Sequence, residues 1–238
     1  MRIAVLENDP YVPAGRFAVI ATARGHTLVD IPLHDGAVVP DIGTFDAVVS
    51  LGGEMGSYDE AAYPFLDAEK AFLARCVGGG VPTLGLCLGS QLLADALGGR
   101  AYLAERPEVV FEPVEPIGSP DRVVEALASG PVVRFHRDTW DPPSGAEVLA
   151  VGGGYGQVFR FGTALAVQPH PEVTTDDLTV WATSDGSASL LDAAGTDGVA
   201  LVEAFTAAEA EVAAVAESFF GAWLDEAERI AGRQPDGR

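Results

Sequence analysis

The stretch T-L-G-L-C-L-G-S-Q-L-L-A at residues 83–94 decides the fold prediction for this chain. Its apolar first part predicts a buried strand, and the pattern after Cys87 is typical of a helix. Glycines at positions 85 and 89 flank the cysteine, as in the sharp strand-to-helix turn that exposes a nucleophile. Because a helix N-terminus carries partial positive charge and free N–H groups, it favours a thiolate over a thiol. The stretch predicts a nucleophilic Cys87, with a buried structural cysteine as the alternative.

A cysteine nucleophile needs a base, and His170 is the best candidate among the four histidines. It follows an apolar run in A-L-A-V-Q-P-H-P-E at residues 164–172, and the flanking prolines keep the chain extended. Side chains two positions apart in an extended chain point to the same face. Glu172 can therefore hold one imidazole nitrogen while the other nitrogen faces the thiolate. Without the cysteine turn, H-P-E would be typical of a surface loop.

Four segments in a fixed order carry a resemblance to a known family. They are V-V-S-L-G-G-E-M-G-S-Y-D-E at 48–60, G-L-C-L-G-S-Q at 85–91, F-H-R-D-T-W-D-P-P-S-G-A at 135–146 and Q-P-H-P-E at 168–172. Together they resemble the class I glutamine amidotransferases, which use a Cys-His-Glu triad, and especially small stand-alone members similar to the amidotransferase domain of GMP synthase. The resemblance covers roughly residues 1–230.

The resemblance implies a set of site residues. Cys87, His170 and Glu172 would hydrolyse the side-chain amide of glutamine through a thioester, and the backbone N–H groups of Gly53 and Leu88 would form the oxyanion hole. The positions expected to bind substrate are Gly52, Glu54, Gln91, His136 and Asp138. A solvent-facing helix position is the alternative for Gln91, and an ordinary loop is the alternative for His136 and Asp138.

Three departures from the family pattern lie where the substrate pocket is expected. Glu54 stands where proline is usual, Arg137 where glycine is usual, and Pro169 where phenylalanine is usual. They leave three hypotheses open. The first is a glutaminase that supplies ammonia to a separate synthetase, because the chain shows no ATP-binding motif. The second is a hydrolase of a γ-glutamyl or related small-molecule amide without ammonia transfer. The third is a non-catalytic binding module on the same fold.

Composition limits the partners and the compartment. With 14 Lys and Arg against 35 Asp and Glu, the net charge of −21 disfavours binding to nucleic acid or to an anionic membrane. The only two cysteines, Cys76 and Cys87, are expected to be reduced, since a disulfide would consume the nucleophile. We therefore expect a cytoplasmic protein. No residue pattern predicts a cofactor or a metal site.

Alternating strands and helices predict an α/β fold with a doubly wound, mostly parallel, flavodoxin-like sheet over one domain, residues 1–238. The predicted strands are 2–6, 27–31, 47–51 and 81–86, and the predicted helices are 14–24, 64–76 and 89–97. Short segments predict a small antiparallel extension with the last strands of the sheet, at 109–114, 132–135, 147–151, 157–161 and 165–168.

The C-terminal part, about residues 174–231, is predicted to be helical, and residues 234–238 are predicted to be a frayed tail. Its apolar stripe contains Val212, Val215, Phe219, Phe220 and Trp223. The stripe predicts core packing, with the surface of a possible homodimer as the alternative.

Overall fold

The computed structural model describes residues 1–232, so the predicted tail at 234–238 lies outside the described residues. The strands are β1 (Arg2–Glu7), β2 (Thr27–Pro32), β3 (Ala47–Ser50), β4 (Thr83–Leu86), β5 (Arg100–Glu112), β6 (Glu115–Pro116), β7 (Val132–Asp141), β8 (Glu147–Gly152), β9 (Tyr155–Phe161) and β10 (Ala164–Val167). The α-helices are α1 (Gly15–Ala23), α2 (Phe65–Gly78), α3 (Leu88–Ala96), α4 (Arg122–Leu127), α5 (Thr175–Thr183), α6 (Ala188–Ala194), α7 (Gly198–Ala207) and α8 (Glu209–Ala231).

Eight strands form the main sheet in the order β2-β1-β3-β4-β10-β9-β8-β6. The first five of these are parallel to one another, and β9, β8 and β6 continue the sheet with antiparallel pairing. A separate antiparallel pair joins β5 to β7. The prediction of a mostly parallel sheet with a small antiparallel extension is confirmed. Since β4 and β10 are parallel neighbours, the residues that follow their carboxyl ends lie close together.

Each face of the main sheet packs against helices, because its central strands are apolar on both sides. In β1, Ile3 and Val5 belong to the core that contains the aromatic side chains of α1 and α8. Ala4 and Leu6 belong to the core under α2 and α3 on the other face. This alternation explains why the strand reads as a continuous apolar run.

The apolar stripe of α8 is buried within the chain. Its five side chains are at most 5% exposed, and four of them join the core beside α1 while Val212 joins a third apolar cluster. The prediction of core packing is confirmed for this stripe, and the stripe is not a free dimer surface. Within residues 1–232, no helix combines the length and the apolar character that crossing a membrane requires.

The second half of the chain differs from the prediction in two ways. Strand β5 begins at Arg100 rather than at residue 109, and β7 continues to Asp141, which places the H-R-D segment in a strand. The first part of β5 is polar and contains Pro107, so its sequence lacks the strand pattern. Pairing with β7, with a register shift between Leu103 and Glu108, forms the strand there. Helices α4 and α6 are too short to give a clear period.

Candidate active site

Cys87 occupies the sharp turn between β4 and α3 that the sequence predicts. Its backbone angles are φ 50° and ψ −107°, and within residues 1–232 it is the one non-glycine residue with positive φ. A conformation of this kind costs about 1–3 kcal/mol and persists only where the surroundings impose it. Here the Cys87 N–H donates to the Val167 carbonyl at 2.9 Å, and the Ser90 hydroxyl donates to the Cys87 carbonyl at 2.6 Å.

The glycines beside the cysteine are required by close packing of backbone. A Cβ atom at Gly85 would lie 2.4 Å from the Gly89 carbonyl oxygen. A Cβ atom at Gly89 would lie 2.1 Å from the Ser50 carbonyl oxygen at the end of β3. The turn can therefore pass between β3 and β4 only when both positions lack a side chain.

His170 and Glu172 follow β10, the strand beside β4 in the sheet. His170 Nδ1 lies 2.6 Å from Glu172 Oε1, and the two residues are 3% and 1% exposed. The His170 backbone N–H donates to the Val133 carbonyl at 2.8 Å, which ties this segment to β7. His170 also forms a side-chain hydrogen bond with Cys87. The predicted triad is thus brought together from two strands that are about 80 residues apart in sequence.

The electrostatics of the site favour a charged imidazole. Burial lowers the pKa of His170, but the negative charges of Cys87 and Glu172 and the hydrogen bonds to both raise it to about 10. The opposing charges outweigh the loss of hydration, so at neutral pH the site can hold an imidazolium between a thiolate and a carboxylate.

Two further side chains contact the triad and were not predicted. The Trp181 ring meets the His170 ring edge-on, with centroids 4.8 Å apart. Gln168 Nε2 lies 3.6 Å from Cys87 Sγ and can donate a hydrogen bond to it. Gln168 belongs to the quoted Q-P-H-P-E motif, so its position was the available signal, whereas nothing in the sequence pattern marks Trp181.

The Gly52–Gly53 loop lies directly against the nucleophile and the base. A Cβ atom at Gly52 would be 3.2 Å from His170 Cε1 and 3.5 Å from Cys87 Cβ. A Cβ atom at Gly53 would be 2.9 Å from Leu88 Cδ2, so the two backbone segments predicted to form the oxyanion hole are neighbours. Glu54 is exposed beside them, and its backbone N–H donates to Asp9 Oδ2 at 3.2 Å.

A fully buried carboxyl group lies beneath this loop. Glu69 Oε1 accepts hydrogen bonds from Ser50 Oγ at 2.7 Å and from Asn8 Nδ2 at 3.4 Å. The same Asn8 amide donates to the Leu51 carbonyl at 3.0 Å, immediately before the two glycines. Burial raises the pKa of Glu69 to about 7, and the two hydrogen bonds oppose this shift only in part.

The predicted substrate-binding residues Gln91, His136 and Asp138 contact one another. Gln91 is 3% exposed and its Nε2 donates to the Asp138 carbonyl at 3.2 Å, so it does not face solvent. His136 Nδ1 lies 2.9 Å from the same carbonyl, and its Nε2 lies 3.1 Å from Glu108 Oε2. The Tyr58 hydroxyl donates to Asp138 Oδ1 at 2.9 Å.

These contacts engage both ring nitrogens of His136 with groups of the chain. The ring therefore holds the Asp138 backbone in position, and it faces the site mainly as part of a wall. Sequence reasoning missed Glu108 and Tyr58 because each contact joins residues that are distant in the chain.

A pocket of about 660 Å³ opens above the cysteine. The predicted site residues in its lining are Gly53, Glu54, Cys87, Gln91, His136, Asp138 and His170. Gly52, Leu88 and Glu172 contact these residues without lining the pocket. In the part of the chain that the structure describes, no three His, Cys, Asp or Glu side chains are grouped so that they could hold a metal ion.

Comparisons with known proteins match this geometry. Residues 39–179 match the family model described as glutamine amidotransferase class-I. The chain is 34% identical over 141 residues to the glutamine-hydrolyzing subunit of GMP synthase from Sulfolobus acidocaldarius, and the match covers 57% of this chain and 71% of that protein. It is 28% identical over 118 residues to a glutamine amidotransferase-like protein of Salmonella typhimurium, and this match spans about half of each chain, 48% and 49%.

The fold extends the likeness beyond the matched segments. A crystal structure of a glutamine amidotransferase from Thermotoga maritima superposes with a TM-score of 0.82 and 26% identity. The superposition covers 97% of this chain and 98% of the other.

Proposed function

Because the chain belongs to the class I glutamine amidotransferase family, we propose that it hydrolyses the side-chain amide of glutamine. Cys87 acts as the nucleophile, His170 as the acid and base, and Glu172 as the group that positions His170. One observation carries the proposal: a buried His170–Glu172 pair at 2.6 Å stands beside a cysteine held at positive φ in a strand-to-helix turn. Strain and burial of this kind are typical of functional sites.

The proposed reaction has two halves. The Cys87 thiolate attacks the γ-carbonyl carbon, the C–N bond breaks, and the His170 imidazolium gives its proton to the leaving ammonia. A thioester remains on Cys87. His170 then removes a proton from water, the hydroxide attacks the thioester, and the C–S bond breaks to return glutamate and the thiolate.

The oxyanion of each tetrahedral intermediate needs fixed donors, and we assign the backbone N–H groups of Gly53 and Leu88 to it. Their proximity and the position of Leu88 at the start of α3 support this assignment. For the substrate itself, Gln91 and Asp138 would shape the pocket floor, and the exposed Glu54 would meet the amino group.

Ammonia transfer to a separate synthetase is the finer part of the proposal. Its support is the likeness to a relative named as a glutamine-hydrolyzing subunit of GMP synthase. A γ-glutamyl amide other than glutamine is the second candidate substrate, and the pocket volume of about 660 Å³ favours it. A non-catalytic binding module has less support, because such a module has no use for a strained cysteine beside a charged histidine.

Covalent labelling tests the catalytic role of Cys87. We expect a γ-glutamyl diazoketone to add to the protein at one residue per chain, and peptide mass spectrometry to locate the adduct at Cys87. Cys76→Ala is the matched control, because Cys76 is the other cysteine, is buried in α2 and is not in a disulfide. Labelling that persists in Cys87→Ala, or that fails in the unchanged protein, would contradict the proposal.

A further inference from the structure

The chemistry of the site fixes which side of the pocket meets the leaving group. Glu172 holds His170 Nδ1, so Nε2 is the nitrogen that gives a proton to the departing amine. The departing nitrogen therefore lies beside the exposed edge of the His170 ring. Whatever that nitrogen carries extends into the part of the pocket that surrounds this edge.

That part of the pocket is apolar. Trp181 packs edge-on against His170 at 4.8 Å, and Phe135 packs against Trp181 at 5.9 Å. Val12 Cγ1 and His170 Cε1 lie 2.9 Å and 3.2 Å from one point, the Cβ position of Gly52, so Val12 completes this side. Free ammonia gains nothing from such walls, whereas an apolar substituent on nitrogen is removed from water by them.

The apolar surface continues to the mouth of the pocket. Of the eight large apolar side chains that are exposed in residues 1–232, Tyr11, Leu103 and Val180 line this pocket and are 68%, 58% and 49% exposed. Leu190 of α6 adds to the same wall. Val180 and Leu190 follow the segment 39–179 that matches the family model, so this wall is built outside the part that carries the shared motifs. A concentration of exposed apolar surface marks a binding site.

The volume and the charge of the pocket agree with a larger amide. Pockets of roughly 300–1,000 Å³ hold drug-sized ligands, and 660 Å³ lies within that range. Arg137 is the one lysine or arginine among the lining residues, and its side chain is 54% exposed. It is placed to meet the carboxylate of a glutamyl group, which leaves the apolar side to the other half of the substrate.

From these observations we propose that the site takes γ-glutamyl amides whose nitrogen carries an apolar or aromatic substituent. The inference rests on the proposed function of Cys87, and it adds the class of the leaving group. The thiolate attacks the γ-carbonyl carbon, the C–N bond breaks, and the amine leaves with the proton of His170. Water then hydrolyses the thioester, so the products are glutamate and a free apolar amine.

Competing substrates test this inference. The probes are γ-L-glutamyl-benzylamide, γ-L-glutamyl-glycine and L-glutamine, with release of glutamate as the common readout. We expect kcat/KM for the benzylamide to exceed those for the other two at least tenfold. In Val180→Ser we expect the ratio of kcat/KM for the benzylamide over glutamine to fall several-fold. Val19→Ser is the matched control, because Val19 is 70% exposed on α1 away from the pocket, and its ratio should not change.

The outcomes separate the two proposals. Faster turnover of glutamine than of the benzylamide, with both lost in Cys87→Ala, would overturn the leaving-group inference and retain the proposed function. An unchanged ratio in Val180→Ser would also overturn the inference. No turnover of any probe would overturn both proposals.

Discussion

Glu172 is the residue whose role is easiest to isolate, because it is buried and its charge is one of the causes that raise the pKa of His170. Glu172→Gln keeps the shape and removes the charge, so the pKa of His170 should fall from about 10. The alkaline limb of the pH profile of kcat/KM should then move to lower pH. We also expect kcat to fall on the order of 10²-fold, since a misplaced or neutral imidazole loses most of its acid–base contribution.

Glu203→Gln provides the control for Glu172→Gln, because Glu203 is exposed on α7. Its pH profile should match that of the unchanged protein. An alkaline limb that stays in place in Glu172→Gln would show that the carboxylate does not set the charge of His170.

Glu69 predicts a pH dependence of stability. Its pKa is raised from 4.5 to about 7 in the folded protein, so the folded state binds a proton that the unfolded state has lost between these values. Stability therefore falls as pH rises through this window, by on the order of 3 kcal/mol in full. In Glu69→Gln this loss should be absent, and urea unfolding at pH 5 and pH 8 measures it. Glu217→Gln, at an exposed position of α8, should keep the loss. Parallel curves for Glu69→Gln and the unchanged protein would contradict the prediction.

At the residue scale, the sequence predicted those parts of the site that lie within short motifs. Cys87, His170 and Glu172 could be found because a turn and an extended tripeptide fix their geometry locally. Glu69 and Trp181 could not be found, because their contacts depend on how distant elements pack. His136 was predicted as a substrate-binding residue, and only the structure shows that Glu108 and the Asp138 backbone engage its ring.

Among the elements, α1 has a direct connection to the triad. The Arg16 N–H in its first turn donates to the Glu172 carbonyl at 2.8 Å. Gly15, with φ 45°, approaches the same carbonyl so closely that a Cβ atom would lie 2.2 Å from the oxygen. The start of α1 thus fixes the backbone that carries Glu172.

Gly15→Ala should therefore lower both stability and activity, because its methyl group displaces the Glu172 carbonyl. Overpacking costs about 1–3 kcal/mol, in addition to about 1–2 kcal/mol for the left-handed backbone. Gly25→Ala separates these effects, since Gly25 has φ 82° and nothing within 4 Å of its Cβ position. We expect Gly25→Ala to lose some stability and keep kcat for glutamine. Equal losses of kcat in the two variants would refute the role of α1.

Elements were predictable where a local period is strong. Strands β1 and β4 and the helices after them follow from apolar runs bounded by turn residues. The polar start of β5 forms a strand only because β7 lies beside it. Long-range pairing of this kind overrides local propensity.

For the whole molecule, the sheet order is what creates the site. β4 and β10 are neighbours, so Cys87 and the His170 segment leave the sheet at the same edge, and β7 supports the latter through Val133. A single domain over residues 1–238, a homodimer and a cytoplasmic location stay predictions. The net charge of −21 is spread over a chain whose pocket lining holds one arginine, which concentrates the only nearby cation where a substrate carboxylate would bind.

The most direct test of the central claim is the release of ammonia and glutamate from L-glutamine by the purified protein, with no partner added. The account predicts equal amounts of both products, loss of both in Cys87→Ala, and retention of both in Cys76→Ala. Equal release by the Cys87→Ala protein, or no release by the unchanged protein, would contradict it.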